Sequence, residues 1–176
     1  MKKLILFLFL IPGLVFAGDY KRSDWPHWVD LDGDCQDSRA ETLIRDSRVL
    51  VTFKTDRKCE VTEGEWVCPY NGKTYYLDGK IDIDHMIPLE NAHKNGAENW
   101  TREQRKAFAN DPENLFSTYL GCNRSKGSRG PEKWKPSLKS YWKEYARHWI
   151  YIKEKYRLKY APGEMRALGV MLGYQE

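Results

Sequence analysis

Several things are scarce in this chain of 176 residues, and each absence narrows what it can be. Beyond residue 17 there is no long apolar run, which leaves no stretch of the roughly 20 apolar residues that a membrane-spanning helix needs. Internal repeats, low-complexity tracts and linker-like segments are missing as well, which excludes a solenoid or a string of modules. Cysteine is limited to Cys35, Cys59, Cys68 and Cys122, with no CxxC spacing, so a four-cysteine zinc knuckle is disfavoured. Asp30-Leu31-Asp32-Gly33-Asp34 begins like a calcium loop but has Cys35 at the sixth position, where glycine is needed, and Glu41 at the twelfth. A turn whose Asp side chains cap backbone amides is the preferred reading, with a calcium-binding exported domain as a lesser one.

The first seventeen residues form a unit of their own. Lys2 and Lys3 precede an apolar run from Leu4 to Phe16 that is broken by Pro12 and closes with Val15-Phe16-Ala17. A charged start, a short apolar centre and small residues at −3 and −1 predict a signal peptide, 1–17, cleaved after Ala17. The mature chain, 18–176, is then long enough for one compact domain. Its destination is the periplasm or the medium, and it is expected as a monomer with no stable membrane association. An even cysteine count behind a signal peptide predicts two disulfides. Cys59 and Cys68 flank Thr62-Glu63-Gly64-Glu65, a turn-like stretch, so the expected pairs are Cys59–Cys68 and Cys35–Cys122.

Mean hydropathy is −0.73 and aromatic residues make up 14%, which describes a polar, aromatic-rich folded protein and not a disordered one. Charge is unevenly divided. Residues 18–118 carry 14 Lys/Arg against 20 Asp/Glu, whereas 119–160 carry 12 against 3. An acidic body therefore bears a segment of net +9 that attracts anions.

Asp37 or Ser38 can cap a helix through Arg45. Strand character appears at 48–53, 65–68 and 74–77, with Asn71-Gly72 as a turn between the last two. Ile81-Asp82-Ile83-Asp84 alternates apolar and acidic residues, which predicts a half-buried strand with both carboxylates on one face. Residues 91–99 form a loop or a short helix. Thr101, preceded by Trp100, can cap a helix through Phe108, and Ser137 to about Tyr160 carries the longest helical signal. Pro162-Gly163 separates it from a final helix, 164–172.

The chemistry concentrates at Asp84-His85 and at the segment from Asn114 to Gly127. Hydrolysis of a phosphodiester needs a base, an in-line nucleophile and positive charge for the transition state. Asp84 is a hard oxygen ligand suited to Mg²⁺ or Mn²⁺. His85 can serve as general base, and Asn123 offers a carbonyl oxygen as second ligand. Arg124 and Lys126 stand where a phosphate needs neutralising. Asp82 reads as a supporting carboxylate, Arg39 as a contact to phosphate or to its own acidic loop, and His93 and His148 as structural.

Asp82-Ile83-Asp84-His85-Met86-Ile87-Pro88-Leu89, Asn114-Leu115 and Asn123-Arg124-Ser125-Lys126-Gly127 together resemble the HNH (ββα-metal) endonuclease superfamily in its His-Asn-Asn form. More closely, the chain is similar to small secreted HNH nucleases related to the C-terminal nuclease domain of GmrSD-type restriction enzymes. Further similarity lies in Asp30 to Cys35 with Arg39, Asn95-Gly96-Ala97 with Trp100, Phe108 to Asp111, Pro131 to Trp134, and 149–156. The resemblance implies an α+β fold with a ββα-metal core over about 74–130, an N-terminal disulfide-braced β region and a long basic C-terminal helix. It also implies that His85 activates water and that Asp84 and Asn123 bind one divalent ion, Mg²⁺ ahead of Mn²⁺. Asn114 would hold the loop and orient the His85 ring. The substrate would be DNA, with RNA as a further one, cut with little sequence specificity into 5′-phosphate and 3′-hydroxyl ends. Two departures stand out: Ser128 follows Lys126-Gly127 where relatives often carry an acidic residue, and Trp142-Lys143-Glu144 stands where they often carry a cysteine. A non-catalytic, disulfide-braced binder of nucleic acid or another polyanion is the alternative, since it needs the basic segment but not His85.

Overall fold

The computed structural model describes residues 18–174, and the expected signal peptide lies outside them. The chain enters as an irregular arm, 18–37, anchored by Trp25, whose indole is buried against Trp100 and Phe108. Asn110 ties the same arm down. Its Nδ2 donates to Pro26 O at 2.8 Å, while its Oδ1 accepts from Val29 N at 3.0 Å and from Ser38 Oγ at 2.7 Å. The carboxylates of Asp30, Asp32 and Asp34 accept backbone amides of residues 33–36, as the capping turn requires. Asp37 then caps helix α1 (Ser38–Asp46) by accepting from Ala40 N.

Strands β1 (Thr52–Phe53), β2 (Val61–Val67) and β3 (Thr74–Leu77) form an antiparallel sheet in that order. The stretch expected as a turn, 62–65, runs inside β2. Gly64 makes this possible: the register shifts between Glu63 and Trp66, and a Cβ at Gly64 would lie 2.7 Å from Ser47 Oγ and from the Trp66 ring.

That continuous strand corrects both expected disulfides. Cys59 and Cys68 lie beyond opposite ends of β2, roughly 30 Å apart along extended chain at about 3.3 Å per residue, far outside bridging distance. The bond present is Cys35–Cys59, with a Cα separation of 5.2 Å, and it joins the acidic turn to the loop before β2. Cys68 and Cys122 are free thiols. Cys68 is buried with Sγ 3.0 Å from Thr118 Oγ1, and Cys122 accepts from Asn71 Nδ2. Burial pushes the Cys122 thiol up, and neighbouring Cys68 adds to the shift.

Strand β4 (Ile81–His85) is followed by α2 (Leu89–Lys94) and α3 (Arg102–Ala109), the latter closed by a full capping box between Thr101 and Gln104. Strand β5 (Leu115–Tyr119) pairs antiparallel with β4 and passes directly into α4 (Leu120–Lys126). The expected long helix is shorter, α5 (Trp142–Lys155). Ser137 Oγ and Leu138 N both donate to Tyr70 O, which ties the preceding segment to the β2–β3 turn. At the other end Arg157 turns left-handed, with φ 51°, and stops the helix before Tyr160. Helix α6 (Glu164–Leu172) closes the α+β fold.

Two apolar clusters hold these elements. The larger joins the arm, α2, α3, α5 and α6 through Trp25, Phe108, Tyr145, Trp149 and Leu168, and the smaller packs α1, β2 and β4 through Leu43, Trp66, Ile81 and Ile83. Each large side chain fully buried there contributes about 1.5–3 kcal/mol. The β4–β5 pair lies between the two clusters, so its polar residues are set in a rigid frame.

Candidate active site

Alternation along β4 separates its side chains. Ile81 and Ile83 enter the smaller core, while Asp82 and Asp84 face α4. On α4, Asn123 and Lys126 are three residues apart and share a helix face. Two rungs result. Asn123 Nδ2 donates to Asp82 Oδ2 at 2.8 Å, and Lys126 Nζ donates to Asp84 Oδ2 at 2.8 Å. Lys126 Nζ also donates to His85 O at 2.6 Å, and the Tyr70 hydroxyl donates to the same Asp84 Oδ2 at 2.6 Å.

These bonds leave defined atoms over. Both partners of Asp84 take Oδ2, so Oδ1 remains available to a ligand. The Asn123 amide is oriented by its bond to Asp82, which leaves its Oδ1 as the open acceptor. Asp82, Asp84, His85 and Asn123 all line one cavity of about 350 Å³, roofed in part by Tyr20 and Trp28. Two neutral-to-anionic oxygen donors in one cavity suit a small hard cation. Burial raises the Asp84 carboxyl and lowers the Lys126 ammonium, and each charge opposes the shift of the other.

His85 is buried at the strand end, opposite Leu115 in the register. Its Nε2 lies 2.9 Å from Ala109 O. A carbonyl only accepts, so Nε2 carries the proton and Nδ1 is left as the basic nitrogen. Burial lowers the ring's pKa to about 3, against the bond to Ala109 and with help from the Arg22 and Lys126 charges, so the ring is neutral. The indole of Trp28 stacks on it, with centroids 6.0 Å apart and planes at 29°. Trp28 holds a left-handed backbone, φ 56°, unusual for so large a residue.

Asn114 is fully buried and acts on the loop after His85. Its carbonyl accepts from Met86 N at 2.7 Å and its Oδ1 from Ile87 N at 2.9 Å. Asn114 therefore holds the loop, whereas the ring is tied to Ala109 and not to Asn114.

Two expectations about phosphate contacts are corrected. Lys126 is fully buried and committed to Asp84 and His85, so its ammonium cannot meet a substrate phosphate. Arg39 pairs with Asp78 at 3.8 Å and does not line the cavity. Arg124 lies on α4, exposed and also off the cavity wall. Ser128 does line the cavity. Tyr70, Trp28 and Arg22 carry no signal in the sequence that places them at this site. Tyr70 sat in a turn signal, and Arg22 and Trp28 in a segment with no periodicity at all.

An antiparallel strand pair whose second strand runs straight into a helix, with an Asp-His pair at the end of the first strand, makes a ββα arrangement of the HNH nuclease type. Comparison with known proteins agrees. Residues 37–167 match the family described as GmrSD restriction endonucleases, C-terminal domain, and the chain belongs to that family. A protein of Arthroderma benhamiae described as an uncharacterized secreted protein is 43% identical over 155 residues, covering 87% of this chain and 74% of the relative. No solved structure matches. Among the described residues no helix is long and apolar enough to cross a membrane.

Proposed function

We propose that the protein is an exported, divalent-metal-dependent endonuclease that hydrolyses DNA, and RNA as a further substrate, with little sequence preference. The observation that carries this reading is the pair of oxygens left over at the cavity, Asp84 Oδ1 and Asn123 Oδ1, beside a neutral histidine whose other nitrogen is already bonded. Asp84 and Asn123 would hold one divalent ion, Mg²⁺ or Mn²⁺, which supplies Lewis-acid stabilisation to the phosphoryl and leaving oxygens.

The remaining work falls to the chain. His85 Nδ1 accepts the proton of the attacking water, a role typically worth ~10²–10⁴ in rate. An approaching phosphodiester brings negative charge that lifts the ring's basicity toward the useful range. Ala109 and Trp28 keep the ring in place through that transfer, and Asn114 keeps the loop from shifting beneath it. The new bond from the water oxygen to phosphorus replaces the P–O3′ bond, and the departing 3′ oxygen takes a proton from solvent, which leaves a 5′-phosphate and a 3′-hydroxyl. The exposed lysines and arginines of the basic segment 119–160 grip backbone phosphates without reading bases. Export is supported by the signal-like start, by a Cys35–Cys59 bond suited to an oxidising compartment, and by the secreted relative.

The test is plasmid cleavage by the mature chain in Mg²⁺ or Mn²⁺, with and without EDTA, beside His85→Ala. Nicking that EDTA stops and His85→Ala lowers by ~10²–10⁴ is expected. Cleavage retained in His85→Ala overturns the mechanism, and binding without cleavage favours a polyanion-binding protein.

A further inference from the structure

Even with one divalent ion at Asp84 and Asn123, a cavity walled by the carboxylates of Asp82, Asp84 and Glu90 is not net positive, so drawing in a phosphodiester needs a fixed cation of the chain as well. The cation expected for that purpose, Lys126, is buried and committed to Asp84. His85 is neutral. Among the described residues that line the cavity, Arg22 is the one with a permanent positive charge, and it comes from the N-terminal arm.

We propose that Arg22 is the substrate-phosphate anchor of this site, which makes the arm part of the cleft. The substrate class rests on the nuclease reading given above. Arg22 is exposed, and among the described residues no carboxylate lies within ion-pair distance of it. Its guanidinium lies near the Tyr20 phenol, which burial raises and the Arg22 charge lowers in turn. The planar fork of five N–H donors therefore has capacity left for a phosphate, which it fits in bidentate fashion.

The anchor is also rigidly mounted. Arg22 opens a one-turn 3-10 helix, Arg22–Asp24, that closes with Trp25 N donating to Arg22 O at 3.1 Å. Trp25 is 1% exposed, Asp24 approaches Arg105 at 3.7 Å, and Asn110 holds Pro26 and Val29. Farther along the same arm, Trp28 lies over His85. Trp28 takes a left-handed φ that is rare for so large a side chain, and the stacked indole at the cavity is what that conformation delivers. The arm precedes the family match, which begins at residue 37.

Mature wild type, Arg22→Ala and Arg22→Lys are compared in two assays, with melting temperatures as the control for folding. Binding of a short labelled DNA duplex is followed by anisotropy in EDTA across a salt series. Arg22→Ala is expected to weaken binding ~10-fold and to reduce the salt slope by about 1, while Arg22→Lys keeps the slope with part of the affinity. In Mg²⁺, cleavage by Arg22→Ala is expected to show a KM raised more than kcat is lowered. Unchanged affinity and slope in a folded Arg22→Ala chain overturn the anchor, and so does a loss that Arg22→Lys leaves wholly unrepaired. Wild type that binds through Arg22 without cutting sinks the nuclease reading alone. Cleavage indifferent to Arg22 sinks the anchor alone.

Discussion

Among the described residues two lysines are fully buried, Lys126 and Lys153, and each meets a carboxylate, Asp84 and Glu164 respectively. Their surroundings differ in completeness. Lys153 Nζ donates to Glu164 Oε1 at 3.2 Å, to Asn91 Oδ1 at 3.2 Å and to Lys159 O at 2.7 Å. Glu164 in turn accepts from Trp149 Nε1 on one oxygen and from Ala161 N on the other. Every donor and acceptor of that pair is used inside the protein, so it closes the packing of α5 on α6. At Asp84, which lines the cavity, both Lys126 and Tyr70 crowd onto Oδ2 and neither takes Oδ1. A closed pair specifies structure, whereas a one-sided pair holds a charge ready for something that is not protein.

The largest effect should come from breaking the closed pair. Glu164→Gln or Lys153→Met leaves one charge buried without its counterion, which typically costs 3–5 kcal/mol. Urea unfolding should report that loss, with no dependence on Mg²⁺ or EDTA. Lys126→Met should cost less, about 2–3 kcal/mol in EDTA, because Asp84 keeps the Tyr70 hydroxyl and borders the cavity. Millimolar Mg²⁺ should recover part of it, since a cation at Oδ1 replaces the lost charge. Equal responses to Mg²⁺ in the Lys126 and Lys153 variants would erase the distinction between the pairs. Tyr70→Phe removes a single hydrogen bond to a carboxylate and should cost about 1.5–3 kcal/mol in urea unfolding at neutral pH.

The sequence shows one side of this comparison better than the other. Alternation in Ile81-Asp82-Ile83-Asp84 exposes the shared face of the two carboxylates, and the caps at Asp37 and Thr101 announce their helices. Lys126 was legible as a cation near Asn123 but not as a buried one. Its inward turn depends on α4 starting at Leu120, directly after β5 and without a side-chain cap, so no local signal sets the helix phase. Tyr70 reaches Asp84 across fourteen positions of chain, and such contacts leave no periodic trace. The disulfide was misread for the opposite reason. A local turn signal at 62–65 was present, and tertiary packing around Gly64 overrode it.

The smallest effect separates the two carboxylates that share a strand face. Asp82 and Asp84 are two residues apart and both line the cavity, so position alone makes either a ligand. Their bonding assigns different work. Asp82 Oδ2 accepts from Asn123 Nδ2, and its Oδ1 accepts from Ile83 N, so both oxygens are occupied within the chain. Asp82→Asn retains a side-chain oxygen that can accept from Asn123, while Asp84→Asn removes the charge that faces a cation. Titration calorimetry with Mn²⁺ should therefore show binding lost in Asp84→Asn and weakened by no more than ~10–100-fold in Asp82→Asn, the range for groups that orient a ligand. Equal loss in the two variants would make Asp82 a ligand itself, and the open oxygen of Asp84 would no longer distinguish the buried pair at the cavity from the one beneath α6.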